Sequence, residues 1–331
     1  MMTVFILNPK AGKNNDIQLL SEKIKAAASK VNREVEIYIT KAKGDAERFV
    51  KEMCKENPQT RFIACGGDGT LCEVLNGVYG FNDAKIGVFP CGTGNDFCRN
   101  FETACFTNPE KLITADTVKC DVIKYTTTVD AKVKSGLCIN MFNIGFDCNV
   151  ADLMGKIKEK TILQGSLAYF ASIFAILIKK KGADLEIECD GQKCYDGKLL
   201  LTSVANGCFC GGGIKSNPDA CVSDGRMDIN IIKNVTRINF LSKLPYYMKG
   251  THKTAKGIEK ILINKSCNNM TVTPKNGKMR LCCDGEIFDA GKTNFTVLHN
   301  FVNFVLPKEN EDKGACCEHL SKSQVFSDLT Q

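Results

Sequence analysis

The stretch "FIACGGDGTLCEV", residues 62–74, sets a short apolar run against three glycines, a carboxylate and a threonine. An amphipathic pattern then begins. The apolar run has the length of a buried strand, and the pattern after it has helical spacing. Gly66-Gly67-Asp68-Gly69-Thr70 therefore joins a strand to a helix. Glycines in such a turn let backbone amides come close to an anion, and the helix start adds partial positive charge. Asp68 is the residue out of place.

On either side the chain repeats the same alternation. Residues 3–7 are an apolar run ended by Asn8-Pro9. Asp16 is placed to cap a helix that carries Ile17, Leu20, Ile24 and Ala27 on one face. Strands are predicted at 35–39, 62–65 and 86–89, and helices at 45–54 and from 71 to 78. This βαβα order predicts a parallel sheet with helices on both faces and ligands beyond its carboxyl edge. After about residue 118 the rhythm changes. Strands are expected at 118–128, 137–142, 185–189, 199–204, 227–232, 261–264, 270–273 and 294–298. Asp190-Gly191 is a turn signal. A long helical region is expected at about 151–181 and one helix near 237–248. The fold class is thus an α/β domain over 1–120 followed by a β-rich domain over 121–299. A charged, Ser-containing tail from 307 to 331 is expected to be flexible.

Composition narrows the class. The 331 residues are 44% hydrophobic and 24% charged, as in globular proteins of two ordinary domains. Net charge is +7, a mildly basic surface. The start, MMTVFILNPKAGK, has no basic n-region, long apolar h-region or cleavage site, so a cytoplasmic setting is expected. The 19 cysteines are then reduced core residues. Cys208-x-Cys210, Cys282-Cys283 and Cys316-Cys317 form no CxxC…CxxC pair, and only His252, His299 and His319 could join them, which argues against zinc. The apolar stretch at 162–178 is short and polar-flecked beside the about 20 residues a span requires. It reads as a buried or interfacial helix. Lys156, Lys158 and Lys160 read as a solvated face.

Two further loops join the first. Asn8-Pro9-Lys10-Ala11-Gly12-Lys13 follows the first strand, and Pro90-Cys91-Gly92-Thr93-Gly94-Asn95-Asp96-Phe97 follows the fourth. All three fall at the carboxyl edge of the predicted sheet. They describe a phosphate cradle in which Thr70 and Thr93 add hydroxyl donors. Asp68 and Asp96 would repel phosphate unless a cation stands between them, and Mg²⁺ with retained waters suits that place. A single aspartate here would read as a helix cap; two at neighbouring loops favour the metal. No G-x-x-x-x-G-K-[ST] occurs, since Gly191 to Lys198 has one residue too many and Leu199 follows. No G-x-G-x-x-G follows the first strand, and no HRD or DFG pair is present.

The pair of clusters Gly66-Gly67-Asp68-Gly69-Thr70 and Gly92-Thr93-Gly94-Asn95-Asp96-Phe97 resembles the diacylglycerol kinase catalytic domain family, and within it the bacterial soluble lipid kinases related to diacylglycerol and sphingosine kinases. Gly211-Gly212-Gly213-Ile214-Lys215, Asp224-Gly225-Arg226-Met227-Asp228 and Asp284-Gly285-Glu286 extend the resemblance over about residues 3–306. It implies an NAD kinase- or phosphofructokinase-like α/β domain, a sandwich-like β domain and a cleft between them, with the segment near 301–305 returning to the first. It implies ATP contacts at Asn8, Pro9, Lys10, Ala11, Gly12, Thr40, Gly66, Gly67, Asp68, Gly69, Thr70, Leu71, Cys72 and Thr93. Asp68, Asp96 and Asp121 would form a network holding catalytic Mg²⁺ through water. Glu286, with Asp284, would supply the base. A second, structural metal would take the Asp224 carboxylate and the carbonyls of Cys221 and Arg226. The family usually has Asn at the place of Cys72 and Ser at that of Ala11. Neither change removes a backbone amide.

The activity implied is Mg·ATP-dependent phosphorylation of a lipid hydroxyl, with diacylglycerol or a related lipid alcohol as acceptor. Such a substrate is reached by transient peripheral contact with a membrane surface. The alternatives are a soluble-substrate kinase of the NAD kinase type, because the GGDG element is shared, and a non-catalytic lipid- or nucleotide-binding protein. Nucleic acid is disfavoured: there is no tryptophan and no interleaving of basic and aromatic residues. A homodimer is left open.

Overall fold

In a computed structural model, which describes residues 2–12, 16–101, 104–145 and 182–308, four apolar runs become parallel neighbours. β1 (Thr3–Leu7) pairs with β2 (Val35–Ile39) on one side and β3 (Arg61–Gly66) on the other. β3 in turn pairs with β4 (Lys85–Pro90). β1 and β3 are buried along their whole length, as expected of parallel strands covered on both faces. Between them run α1 (Ile17–Lys30), α2 (Asp45–Glu56) and α3 (Asp68–Gly77). Asp16 caps α1, accepting from the Gln18 and Leu19 amides at 3.0 Å. α2 has no side-chain cap of its own, and Glu73 of α3 accepts from the Gly44 and Ala46 amides at 2.9 and 3.2 Å. The short α4 (Pro109–Thr114) packs on α1. The buried Arg61 guanidinium closes its end by donating to the Leu112, Ile113 and Ala115 carbonyls.

The chain divides into two compact units. The first takes Met1–Val122, Cys221–Gly225 and the chain from Leu298; the second takes Ile123–Ala220 and Arg226–Val297. Residues 221–225 lie inside the β-rich half by sequence, yet they belong with the first unit. The expected helical region at 151–181, the apolar stretch at 162–178, Lys156, Lys158, Lys160, Cys316, Cys317, His319 and the tail from 309 lie outside the described residues.

The second unit is antiparallel. Its strands are β6 (Lys132–Cys138), β7 (Met141–Gly145), β8 (Ala183–Cys189), β9 (Gln192–Ala205), β10 (Met227–Lys233), β11 (Leu262–Cys267), β12 (Asn269–Pro274), β13 (Met279–Cys283) and β14 (Glu286–Ala290). They follow the order β14-β13-β7-β9-β8-β12, with β10 between β9 and β11. Leu199 and Ile231 enter one core, and their neighbours Leu200 and Ile232 enter another with α5 (Arg237–Lys249). Adjacent residues feed opposite faces, so the sheet is covered on both. β5 (Thr117–Val129) pairs with β6, and β15 (Thr293–Val305) serves both units. Its first residues pair antiparallel with β12, and Asn303 and Phe304 pair parallel with β4.

Two sequence expectations are corrected. The strand expected at 137–142 is two strands, broken at Ile139-Asn140, because a side chain described below takes the amides there. The strand expected at 294–298 continues to Val305.

His252 is 1% exposed in the α5 core, beside Tyr247. Neither ring nitrogen has a protein partner among the described residues. Burial pulls its pKa below the ordinary value, and Lys253 adds to the effect. The folded ring stays neutral where the unfolded chain takes a proton. Its contribution to stability is therefore whole above about pH 6.5 and declines by about 1.4 kcal/mol per pH unit below, down to the folded pKa. His252→Leu, which removes the unpaired polar group at similar volume, should flatten that slope. Urea unfolding midpoints measured over the acidic range check this; an unchanged slope contradicts it.

Candidate active site

β4, β3 and β1 are neighbours, so the loops at 8–12, 66–70 and 90–96 leave one sheet edge side by side. Hydrogen bonds tie them together. The Asn8 amide donates to the Cys65 carbonyl at 3.0 Å, and Asn8 Nδ2 donates to Thr70 Oγ1 at 2.9 Å. The Cys91 and Gly92 amides donate to the Gly66 carbonyl at 2.9 and 3.2 Å. Asn95 closes the third loop on itself, accepting from the Gly92 amide and donating to the Gly92 carbonyl.

Most of the glycines are needed for this packing. A Cβ on Gly92 would stand 2.4 Å from Gly67 Cα, and one on Gly12 would stand 2.4 Å from the Cys91 carbonyl oxygen. A Cβ on Gly66 would strike Thr70. Among them only Gly12 has a positive φ, +75°. Gly69 differs: a Cβ there meets nothing within 4 Å. It lies in the first turn of α3, where amides have no intrahelical acceptor.

Neither aspartate is a side-chain cap. Gly67 is the N-cap of α3 and makes no side-chain cap bond, and Asp96 caps the short turn after it without using its side chain. Asp68 Oδ1 instead reaches the third loop, accepting from the Asp96 amide at 2.8 Å and the Phe97 amide at 3.4 Å. The point a Gly94 Cβ would occupy lies 2.8 Å from Asp68 Oδ2 and 3.3 Å from Asp96 Oδ2. Two carboxylate oxygens thus border one small space, a hard-oxygen donor set that suits Mg²⁺. Phe97 anchors the loop from below, meeting Phe101 at 5.6 Å and Phe304 of β15 at 5.0 Å.

The remaining first-unit candidates have different settings. Thr40 is buried, and its amide donates to the Leu7 carbonyl at 2.9 Å. The Leu71 side chain is in the core, and its amide bonds the Gly67 carbonyl, as the Thr70 amide does. Cys72 is half-buried, while Pro9, Lys10, Gly12 and Thr93 are exposed and Ala11 is buried. Asp121 is fully buried. It accepts from the Gly225 amide at 2.6 Å, the Asn300 amide at 2.7 Å and His299 Nδ1 at 2.8 Å. Asn300 Nδ2 meets His299 Nε2 at 2.9 Å, which fits a ring protonated at Nδ1. Nothing in the sequence around His299 marks it as a partner for Asp121. Cys221 and Asp224 share this first unit, where the Asp121 amide donates to the Val222 carbonyl at 2.7 Å. Arg226 belongs to the second unit, and its guanidinium bonds Ser266 and Asn268.

In the second unit, Asp284-Gly285 turns β13 into β14, with φ of +45° and +89°. The strand that follows this turn is β14, ahead of the one expected at 294–298. The Asp284 carboxylate accepts from the amides of Ile139, Asn140 and Met141 and from Cys138 Sγ, between 2.9 and 3.2 Å. This is what breaks the expected strand. Burial pushes the Asp284 carboxyl above its ordinary range, and the four donors oppose that shift. Glu286 heads β14, half-buried, opposite Cys283.

The diacylglycerol kinase catalytic domain matches residues 2–125, and the YegS C-terminal NAD kinase beta sandwich-like domain matches residues 140–305. A diacylglycerol kinase of Staphylococcus epidermidis is 30% identical over 329 residues, covering 98% of this chain and 96% of its own. One from Bacillus subtilis is 28% identical over 318 residues, covering 93% and 97%. A crystal structure of a diacylglycerol kinase from Bacillus anthracis aligns with a TM-score of 0.66 at 20% identity, over 92% of this chain and 96% of that one. Yeast NADH kinase complexed with NADH aligns with a TM-score of 0.51 at 11% identity, over 100% and 89%. The last two speak to the fold, an NAD kinase-like α/β domain with an antiparallel β domain.

Gly92→Ala should cost about 1–3 kcal/mol, since backbone must move to admit the methyl. Thermal unfolding reads the loss, and a melting temperature equal to that of the unaltered chain would contradict the packing described.

Proposed function

We propose that this chain, which belongs to the diacylglycerol kinase family and is a kinase, transfers the γ-phosphate of ATP to the hydroxyl of diacylglycerol or a related lipid alcohol, with Mg²⁺. The observation that carries this reading is the space beside Gly94, bordered by Asp68 Oδ2 and Asp96 Oδ2 at the edge of three phosphate-type loops. Backbone amides of those loops would receive the phosphates, and Asp68 and Asp96 would hold Mg²⁺. When bound, that ion offsets the negative charge that builds on the phosphates during transfer. Gly69 supports the nucleotide side of the reading. It has no packing neighbour, so a phosphate oxygen is a physical reason for the missing side chain.

Glu286 is assigned the proton of the acceptor hydroxyl. Asp284, engaged by four donors, is assigned to fixing the turn that presents Glu286. The loop holding Cys221 and Asp224 offers the carboxylate and carbonyl oxygens a structural cation takes. The acceptor is reached at a membrane surface. No described helix is long and apolar enough to cross a membrane.

Two variants test this. Glu286→Gln should keep ATP binding and lower turnover by about 10²–10⁴-fold, the scale of a general base. Transfer of labelled phosphate to diacylglycerol, sphingosine and NAD, offered separately, measures it; near-normal turnover removes Glu286 from the role, and transfer to NAD alone removes the lipid. Gly69→Ala should leave thermal unfolding unchanged or slightly raised, because Ala favours a helix, while weakening ATP binding by calorimetry. Unaltered ATP affinity would sink the phosphate contact.

A further inference from the structure

The net charge of this chain sits in one place. Residues 233–265 contain eight Lys and Arg and one acid, Glu259. Their balance of +7 equals that of all 331 residues, so the charges of the rest of the molecule cancel. This segment is a structural lobe of the second unit. It comprises the end of β10, α5, two short turns at His252–Thr254 and Ile258–Lys260, and the start of β11. Phe240, Leu244 and Tyr247 of α5 pack with Ile258 and Ile261 against Leu200, Leu201 and Ile232 of the sheet.

Two of the lysines hold the lobe together. Lys243 Nζ donates to the Lys256 carbonyl at 2.6 Å, and Lys253 pairs with Asp219 and donates to Asn264. Lys249, Lys256 and Lys260 are exposed and have no acidic partner among the described residues. Tyr246, 44% exposed, stands on the outer side of α5 beside the exposed Pro245. An aromatic ring with a polar tip, three residues before Lys249 on the same helix face, is a pairing that rests at a water–lipid boundary.

We propose that this lobe is the surface by which the protein docks on an anionic phospholipid membrane. Seven of the eight cations are Lys and only Arg237 is Arg. Lysine is a point charge on a flexible stem, suited to a diffuse field of headgroups. Recognition of nucleic acid favours the planar, bidentate guanidinium. Each cation near an anionic membrane surface adds about 1 kcal/mol of attraction, so the three unpaired lysines together change affinity by about 100-fold. The attraction is electrostatic and therefore falls with ionic strength. This inference rests on the lipid-kinase reading for its purpose, since docking brings the protein to the layer that holds its acceptor.

The experiment separates the two claims. The full chain and the triple variant Lys249→Gln/Lys256→Gln/Lys260→Gln are sedimented with phosphatidylglycerol-containing vesicles and with phosphatidylcholine vesicles. Both are also assayed on a water-soluble short-chain diacylglycerol without vesicles. Docking through the lobe predicts binding to the phosphatidylglycerol vesicles only. It also predicts about 100-fold weaker binding by the variant, with equal thermal unfolding and equal turnover on the soluble acceptor. Equal binding of both proteins to the anionic vesicles, or binding of neither, overturns the docking surface and leaves the kinase reading to the soluble assay. Absence of soluble turnover in both, with lobe-dependent vesicle binding, removes the acceptor and keeps the surface. Competition by a DNA duplex stronger than that by anionic vesicles would assign the lobe to nucleic acid and overturn the proposal.

Discussion

The Asp121 side chain has no exposed surface, and three donors from separate parts of the chain converge on it. Those donors belong to Gly225, His299 and Asn300, and the Asp121 amide reaches Val222 as well. Each of these positions lies within three residues of a place where the chain passes from one unit to the other. A buried carboxylate is tolerated only when such bonds replace its water, and breaking the set would leave an uncompensated charge. The first unit is therefore built from three discontinuous pieces that one side chain gathers. The placement of β15, and with it Phe304 under the third loop, follows from that gathering.

This constraint reaches the candidate site through aromatic packing. Phe304 meets Phe97 edge-on, and the Phe97 amide is one of the two held by Asp68. Asp68 then does two jobs with two oxygens. Oδ1 fixes the third loop at 2.8 Å from the Asp96 amide, and Oδ2 faces the space beside Gly94. The loop glycines fit the same logic. Gly67 and Gly92 allow two backbones to touch, and that contact fixes where the amides point. Loop rigidity and anion binding are thus one property here, because preorganised donors need no reordering when charge arrives.

Much of this was legible in the sequence. The four parallel strands follow from short apolar runs separated by amphipathic segments, and the three loops from glycine, proline and asparagine at the strand ends. In the first unit, the strands and helices expected from local periodicity lie within a few residues of their observed bounds. What escaped was set by distant partners. Nothing around Leu137 tells that Asp284 will take three consecutive amides and split a strand. Nothing in Cys221-Val222-Ser223-Asp224-Gly225 shows that its backbone serves Asp121, about a hundred residues earlier, and not its own β-rich surroundings. The packing role of Gly92 was equally hidden, because a glycine that admits a ligand and one that admits a backbone look alike in sequence.

The carboxylates at these turns show how environment divides labour among identical groups. Asp121 and Asp284 are enclosed by donors of the chain, most of them backbone amides, which makes them organisers of the chain. Asp284 pays in desolvation, and its carboxyl is pushed above the ordinary range. Asp68 is only half-buried, and its Oδ2 lies 2.8 Å from the point a Gly94 Cβ would occupy. A group whose donors are all internal cannot exchange them for a ligand without unmaking the fold. A half-buried group that holds its loop through one oxygen can take a cation on the other and stay in place. That difference, more than the presence of aspartates in glycine-rich loops, is the physical ground for seeking metal at Asp68 and scaffolding at Asp284.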